Sequence, residues 1–380
     1  MFDASQCLAE RCHQIDASGI RKVFDLAAKL KDPINLSIGQ PDFDVPESLK
    51  AACIKAVTAG QNRYTQTQGL PELNALVRQR VSAATQWNEF GTLMISGTSA
   101  GLVLAMFATL NPGDEVLFAD PYFVMYKHLP KLCGAVPVAV DTYPDFRLHP
   151  ERFEAAITPR TKLIIVCSPN NPTGITYDQA ELAALADVAK RHNLLVISDE
   201  IYDAFNYTPH VSIAPLLPKQ CLQLKGYSKT YGMTGWRLGY VAGPQAIIEQ
   251  MTKLQQYTFV CAPSMVQYAA LDMELRTPVD MTPYITAYAA KRDLVYNGLR
   301  EVFPINRPNG AFYMFPQVPG GGSATDFAQR AIERNVLVIP GNVFSGRDTH
   351  FRLSYATSDA KLKAGIEVLN TLGRELLAGK

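Results

Sequence analysis

From about residue 92 to residue 242, short runs of consecutive apolar residues alternate with longer stretches whose apolar positions recur at helical spacing. The runs are TLMIS (92–96), EVLFA (115–119), VPVAV (136–140), KLIIVCS (162–168), LLVISD (194–199), CLQLKG (221–226) and LGYVAG (238–243). A run that is apolar at successive positions has no face to show to water. Each therefore predicts a strand covered on both sides, as in a mostly parallel sheet flanked by helices. Between two runs, Leu182, Leu185, Ala186 and Ala189 share a helical face, and Thr176 with Gln179 fits a capping box ahead of them. The middle of the chain reads as a doubly wound α/β domain.

After 262–263 the pattern changes to long helical stretches (264–275 and about 280–302), followed by strand-like AFYMFPQV (311–318), VLVIPG (336–341) and HFRLSYA (350–356). Helical segments near 325–334 and 358–378 lie between and after them. This reads as a smaller α+β domain that the N-terminal segment joins. No internal repeat, low-complexity tract or long linker interrupts the chain.

At about 150 residues per domain, 380 residues suit two or three domains, and 47% hydrophobic residues supply a sizeable core, which excludes disorder and small disulfide scaffolds. Charged residues are 19%, and the net charge of +1 has no excess to attract nucleic acid or a membrane surface. The longest apolar stretch, 101–110, is about half a membrane span, and Asp3, Glu10 and Arg11 occupy the place of an apolar signal core. The expectation is a soluble chain without a targeting segment. Seven scattered cysteines argue for reduced thiols in the cytoplasm, and the spacing of Cys7, Cys12 and His13 does not suit a metal site.

Four segments carry candidate chemistry. GYSKTYGMTGWRLG (226–239) sets Lys229 just beyond a predicted strand, with Arg237 eight residues on between glycines, an amine nucleophile beside an anion site. LLVISDEIY ends an apolar run on Asp199, a carboxylate that needs a cationic partner if it is buried, with Tyr202 three residues beyond. An aspartate capping the next helix is the competing reading. SPNNPTG (168–174) places the Asn171 amide on a turn, where the 171–172 peptide is either cis or ordinary turn material. ISGTSAGLVLAM puts Gly97, Thr98, Ser99 and Ala100 at a helix start, where free N–H groups and the dipole suit a phosphate.

Together these segments resemble the class I and II aminotransferases, pyridoxal-phosphate enzymes of fold type I, in the subgroup of aspartate and aromatic aminotransferases. SGIRKVFDLA (18–27), SIGQPDFDVP (37–46), RYTQTQGLPEL (63–73), NPGDEVL (111–117), NGAFYMFP (309–316) and FRLSYA (351–356) extend the resemblance in order over essentially the whole chain. It implies an α/β fold with a mostly parallel seven-stranded sheet in a three-layer, cofactor-binding large domain (44–276), and a small α+β domain (1–43 and 277–380). It implies a ping-pong aminotransferase that moves nitrogen from an L-amino acid, aromatic or other neutral before aspartate, to a 2-oxo acid such as 2-oxoglutarate. Lys229 is then the Schiff-base lysine and proton shuttle, and Asp199 the partner of the pyridine nitrogen. Asn171 and Tyr202 bind the ring's phenolic oxygen, and Phe123 stacks on the ring. The N–H groups of Thr98, Ser99 and Ala100, with Arg237 and Ser228, hold the phosphate. Arg352 grips the substrate α-carboxylate, with Gly39 and Asn171 close by. Tyr64 reaches the phosphate of a neighbouring subunit, which implies a cytoplasmic homodimer with shared sites.

The chain departs from the family pattern at Gly226, where many relatives have serine, and at Ala100 and Gly101, where Glu or Gln followed by Ala is common. Some aspartate aminotransferases have lysine at the position of Ser99. Its absence counts against aspartate unless Arg63 or another cation serves its distal carboxylate. The rivals are a carbon–sulfur β-lyase or aminocyclopropane-carboxylate-synthase-like lyase on the same fold, and a non-catalytic sensor. A sensor would normally append a DNA-binding module, for which 380 residues leave no room.

Overall fold

The structure, a computed structural model, describes residues 2–17, 19, 20, 23, 30–276 and 278–379. Of the 18–27 motif, only Gly19, Ile20 and Val23 fall among these; the rest lies outside the described residues.

Twelve strands are present among the described residues: β1 (Ile34–Asn35), β2 (Gly91–Ile95), β3 (Glu115–Asp120), β4 (Val136–Asp141), β5 (Thr161–Cys167), β6 (Leu195–Asp199), β7 (Cys221–Gly226), β8 (Gly239–Gly243), β9 (Tyr313–Met314), β10 (Val336–Leu337), β11 (Ile339–Pro340) and β12 (Phe351–Ser354). The seven apolar runs became β2 to β8, each within one residue at either end. They form one sheet in the order β2-β8-β7-β6-β5-β3-β4, in which β8 runs antiparallel to both neighbours and the others are parallel. Alternation along β5 shows why these runs are continuously apolar. Ile164 and Val166 enter the core on one side of the sheet, while Leu163, Ile165 and Cys167 enter the core on the other. Edge strand β4 is the exception, with most of its residues only partly covered.

The second core gathers Tyr288, Val295 and Leu299 from the Thr282–Leu299 helix with Leu362, Leu369 and Leu372 from the Asp359–Ala378 helix, against Phe312, Phe351 and Leu353. Its strands are shorter than the sequence suggests. The run 311–318 yields only β9, and 336–341 splits into β10 and β11. Pro316 carries no N–H to continue the first ladder, and the second run breaks at Val338, where pairing passes from β1 to β12. Strand β12 pairs antiparallel with both β11 and β9, and β1 pairs parallel with β10.

Two local expectations need correction. The helix Gln179–Arg191 is capped by Asp178 and Glu181, not by Thr176 and Gln179. Asp178 accepts from the Glu181 N–H at 2.9 Å, and Glu181 accepts from the Asp178 N–H at 2.8 Å. The Thr176 N–H is bonded instead to Asn309 Oδ1 at 2.7 Å, so the chain is still in its approach to the helix there. Asp178→Ala is expected to lower the unfolding free energy by about 1 kcal/mol in urea titration and to leave the active site untouched. The cis peptide in the SPNNPTG segment lies at Ser168–Pro169, leaving Asn171–Pro172 trans.

No helix among the described residues is long and apolar enough to cross a membrane.

Candidate active site

The parallel strands deliver their last residues to one edge of the sheet. There, β2 leads through Gly97 into the Thr98–Thr109 helix, β6 ends on Asp199, and β7 leads into the short helix Tyr227–Thr230 that carries Lys229. Antiparallel β8 starts at the same edge, so Gly239 lies across from both Gly226 and Ile95 and brings Arg237 alongside. A cavity of about 640 Å³ opens here. Thr98, Ser99, Phe123, Asn171, Asp199, Tyr202, Ser228, Lys229 and Arg237 line it from the large sheet's side, and Gly39 and Arg352 from the other.

Gly97 illustrates how tightly this edge is built. It has φ 76°, and a Cβ there would fall 2.4 Å from Arg237 Nη2, so both the turn and the approach of the guanidinium require glycine. Arg237 donates to the Thr234 carbonyl at 3.0 Å and the Ser96 carbonyl at 3.3 Å, and pairs with no carboxylate among the described residues. Its charge thus stands beside the first turn of a helix whose leading N–H groups, those of Thr98 and Ser99, have no partner within the helix. Free N–H groups beside an unpaired guanidinium have the chemistry to hold a dianion. The Ala100 N–H is bonded to the Gly97 carbonyl at 3.0 Å, and the residue lies buried behind the cavity wall.

Lys229 Nζ donates to the Gly39 carbonyl at 2.6 Å. Burial, followed by the positive charges of Arg352 and Arg237, lowers its pKa to about 8. Asp199 is 3% exposed and accepts from the Tyr126 hydroxyl at 2.7 Å and from the Ile201 N–H at 3.3 Å. Burial raises its pKa to about 6 against the pull of the Tyr126 hydrogen bond. It caps no helix. The next residue, Glu200, meets the opposite fate. It is bonded to Ser198, Ser212, Gln223 and His210 and stands 3.3 Å from Lys225 Nζ, which together hold it ionised well below the usual carboxylate range. Asp199, by contrast, has no cation partner among the described residues.

Arg352 is 1% exposed and likewise lacks a carboxylate partner among the described residues. Its Nη1 donates to Asn171 Oδ1 at 3.0 Å and its Nη2 to the Ser37 carbonyl at 2.7 Å, while Nε has no partner. Asn171 Nδ2 in turn donates to the Tyr202 hydroxyl at 3.4 Å. A buried guanidinium without a counter-ion is costly unless a ligand supplies one.

The structure thus gathers Thr98, Ser99, Phe123, Asn171, Asp199, Tyr202, Ser228, Lys229, Arg237, Gly39 and Arg352 around one cavity, and places Ala100 just behind it. Tyr64 is 82% exposed and lies outside the cavity. Sequence reasoning passed over Tyr126, although it stands one helical turn from Phe123 in DPYFVMY, and Tyr313, although it sits in NGAFYMFP. It also passed over the apolar wall of Ile20, Ile38 and Met125. At Gly226, a Cβ would lie 2.4 Å from Ile201 Cδ1, so the hydroxyl found there in relatives has little room.

The comparisons with known proteins agree with this arrangement. A model of the aminotransferase class I and II family matches residues 31–369. A probable aspartate aminotransferase of Methanocaldococcus jannaschii is 34% identical over 96% of this chain and 99% of its own length. Aromatic-amino-acid aminotransferase 2 of Thermococcus litoralis is 34% identical over 97% of this chain and 98% of its own. The solved structure of aspartate aminotransferase from Thermus thermophilus with maleate superposes with a TM-score of 0.91 at 33% identity, covering 96% of this chain and 99% of that one. Matched almost end to end in sequence and in fold, the chain belongs to the class I and II aminotransferases, which depend on pyridoxal 5′-phosphate.

Proposed function

We propose that this aminotransferase takes its nitrogen from an aromatic or other neutral L-amino acid, with aspartate as a second candidate, and passes it to a 2-oxo acid, 2-oxoglutarate first. The observation that carries the reading is that one cavity buries a carboxylate, Asp199, and a guanidinium, Arg352, neither with an ionic partner among the described residues. The missing partners are a protonated ring nitrogen and an amino-acid carboxylate. Pyridoxal phosphate, when bound, supplies an electron sink conjugated to the substrate's Cα.

The chain's own residues do the rest. Lys229, with a pKa of about 8, would hold the cofactor's aldehyde and, once freed, would as a neutral amine take the proton from the substrate's Cα and deliver it to the cofactor's former aldehyde carbon. Asp199 keeps the ring nitrogen protonated. Asn171 and Tyr202 bind the phenolic oxygen, and Phe123 covers a ring face. The N–H groups of Thr98 and Ser99, with Ser228 and Arg237, receive the phosphate, Ser228 supplying the hydroxyl that Gly226 cannot, while Ala100, whose N–H is taken by the Gly97 carbonyl, backs the site. Arg352 takes the α-carboxylate in a two-pronged grip, beside Asn171 and Gly39. These assignments use every charged group lining the cavity, which leaves none of them for a side-chain carboxylate, while Ile20, Ile38 and Met125 suit an apolar donor. Among the relatives, the Methanocaldococcus protein is named for aspartate and the Thermococcus protein for aromatic amino acids.

The reading extends to a cytoplasmic homodimer in which exposed Tyr64 reaches the partner's phosphate site and Arg63 is at hand for the distal carboxylate of an acceptor. It also divides the chain into residues 44–276, which carry Lys229 and Asp199, and residues 1–43 with 277–380, which carry Gly39 and Arg352.

The test is the visible absorption spectrum of the holoenzyme, before and after single amino acids are added without an acceptor. The cofactor band should give way to that of the pyridoxamine form, fastest with an aromatic or other neutral amino acid. Fastest loss with aspartate would reverse the order of donors. Release of pyruvate and ammonia from cystathionine without an acceptor would favour the β-lyase, and the absence of any band with added pyridoxal phosphate would sink the site assignment.

A further inference from the structure

Tyr313 lines the cavity but has no role in the assignments above. It is fully buried on β9, and its hydroxyl lies 2.9 Å from that of Tyr202. Its ring covers one face of the Arg352 guanidinium, Cζ to centroid 4.6 Å, and Phe344 lies at 4.7 Å from the same carbon. A circuit therefore closes through four side chains. Arg352 donates to Asn171, Asn171 donates to Tyr202, Tyr202 shares a hydrogen bond with Tyr313, and the ring of Tyr313 lies back against Arg352. Tyr313 packs closely against two glycines. Its carbonyl would be 2.5 Å from a Cβ at Gly174, and its hydroxyl 3.1 Å from one at Gly39.

The circuit has a direction. Because Arg352 can only donate, Asn171 must present Oδ1 to it and therefore Nδ2 to Tyr202. The Tyr202 oxygen thus already accepts one hydrogen bond. Once an acceptor stands in the cavity, Tyr202 turns its proton toward it, and Tyr313 can then donate to the same oxygen. A phenol that accepts two hydrogen bonds is a stronger donor.

We propose that Tyr313 is a positioning residue that couples the carboxylate-binding guanidinium of Arg352 to the hydroxyl of Tyr202, acting on each through a different part of one side chain. Its hydroxyl strengthens the bond that Tyr202 makes to the cofactor's phenolic oxygen, and its ring holds Arg352 in register without neutralising it. The proposal rests on the roles given above to Tyr202 and Arg352.

Tyr313→Phe keeps the ring and removes only the hydroxyl. In the holoenzyme, the pH midpoint of the cofactor's visible band should rise by about half a unit, since the anionic phenolic oxygen loses part of its support. The KM for amino acids should stay within about twofold. Tyr202→Phe should raise the midpoint further, and adding Tyr313→Phe to it should change nothing more, which a merely structural role would not produce. Tyr313→Leu removes the aromatic face and should raise KM about tenfold or more, with a smaller effect on kcat. If this variant does not fold, the phenylalanine series decides alone. An unshifted midpoint in Tyr313→Phe, a shift that adds in full to that of Tyr202→Phe, or a wild-type KM in folded Tyr313→Leu would overturn the proposal. Failure of the functional reading is distinguishable, because the wild-type band would then not respond to any amino acid.

Discussion

Lys229→Ala is expected to lose at least about 10⁴-fold in turnover, the upper range of what a positioned general acid–base contributes, while the protein remains folded and still takes up pyridoxal phosphate. The two effects separate because the other anchors proposed for the cofactor are untouched: Arg237 stays beside the Thr98 helix turn, and Asp199 stays at the end of β6. Among the described residues that line the cavity, none offers a substitute base at that point. Asp199 is assigned to the ring nitrogen, and burial raises the hydroxyl pKa values of Tyr202 and Tyr313. Steady-state rates with the best donor, measured beside equilibrium dialysis of the cofactor, check both halves. Near-normal turnover would remove Lys229 from the chemistry. Lost uptake together with lost turnover would mean that the lysine, more than the phosphate and ring-nitrogen contacts, retains the cofactor.

Asp199→Asn should cost about 10²- to 10³-fold in kcat/KM, the equivalent of an uncompensated buried charge, and yet stabilise the cofactor-free protein at neutral pH. The two consequences have one origin. In the folded chain the carboxyl has a pKa of about 6, against an ordinary 3.8. Between those values the folded state keeps a proton that the unfolded state has released, so stability falls as pH rises through that window. Above pH 6 the deficit is complete, at about 3 kcal/mol. Asparagine carries no charge at any pH and can still accept from Tyr126, so its urea midpoint should exceed that of the cofactor-free wild type at pH 7 and converge with it near pH 4. With cofactor bound, the order should narrow or invert, because the wild-type carboxylate then has its cation. A stability difference that does not change between pH 4 and pH 7 would show that Asp199 is not a strained buried acid.

The two residues also show how far the sequence could be read. The end of LLVISD is legible as a carboxylate carried to the edge of a buried strand, and the following glutamate has no less claim on the same pattern. In the structure one is left without a cation partner and the other is surrounded by donors. Strand geometry turns successive side chains to opposite sides, and the partners of Glu200 come from other segments, Lys225 from β7 and His210 from the loop after β6. Likewise, Gly226 is readable as a departure from the family pattern, but the side chain that a Cβ there would meet, Ile201, belongs to another segment.

What the sequence by itself determined is local and periodic. The seven apolar runs specify strands β2 to β8, because a segment buried on both faces must be apolar at consecutive positions. The 3.6-residue repeats likewise specify the Gln179–Arg191 and Asp359–Ala378 helices. The candidate side chains were visible too, since Lys229, Asp199 and Arg352 stand in motifs whose order along the chain is itself informative. What only the tertiary structure decided is which groups stand together and with what charge. Tyr126 reaches Asp199 across 73 residues, Arg352 reaches Asn171 across 181, and the Lys229 amine reaches the Gly39 carbonyl across 190. Tyr313 gains its place against both Arg352 and Tyr202 only when β9 packs over the SPNNPTG turn. Hydrogen bonds, desolvation and Coulomb energies depend on distance through space, and a one-dimensional pattern carries burial but not the identity of the neighbour.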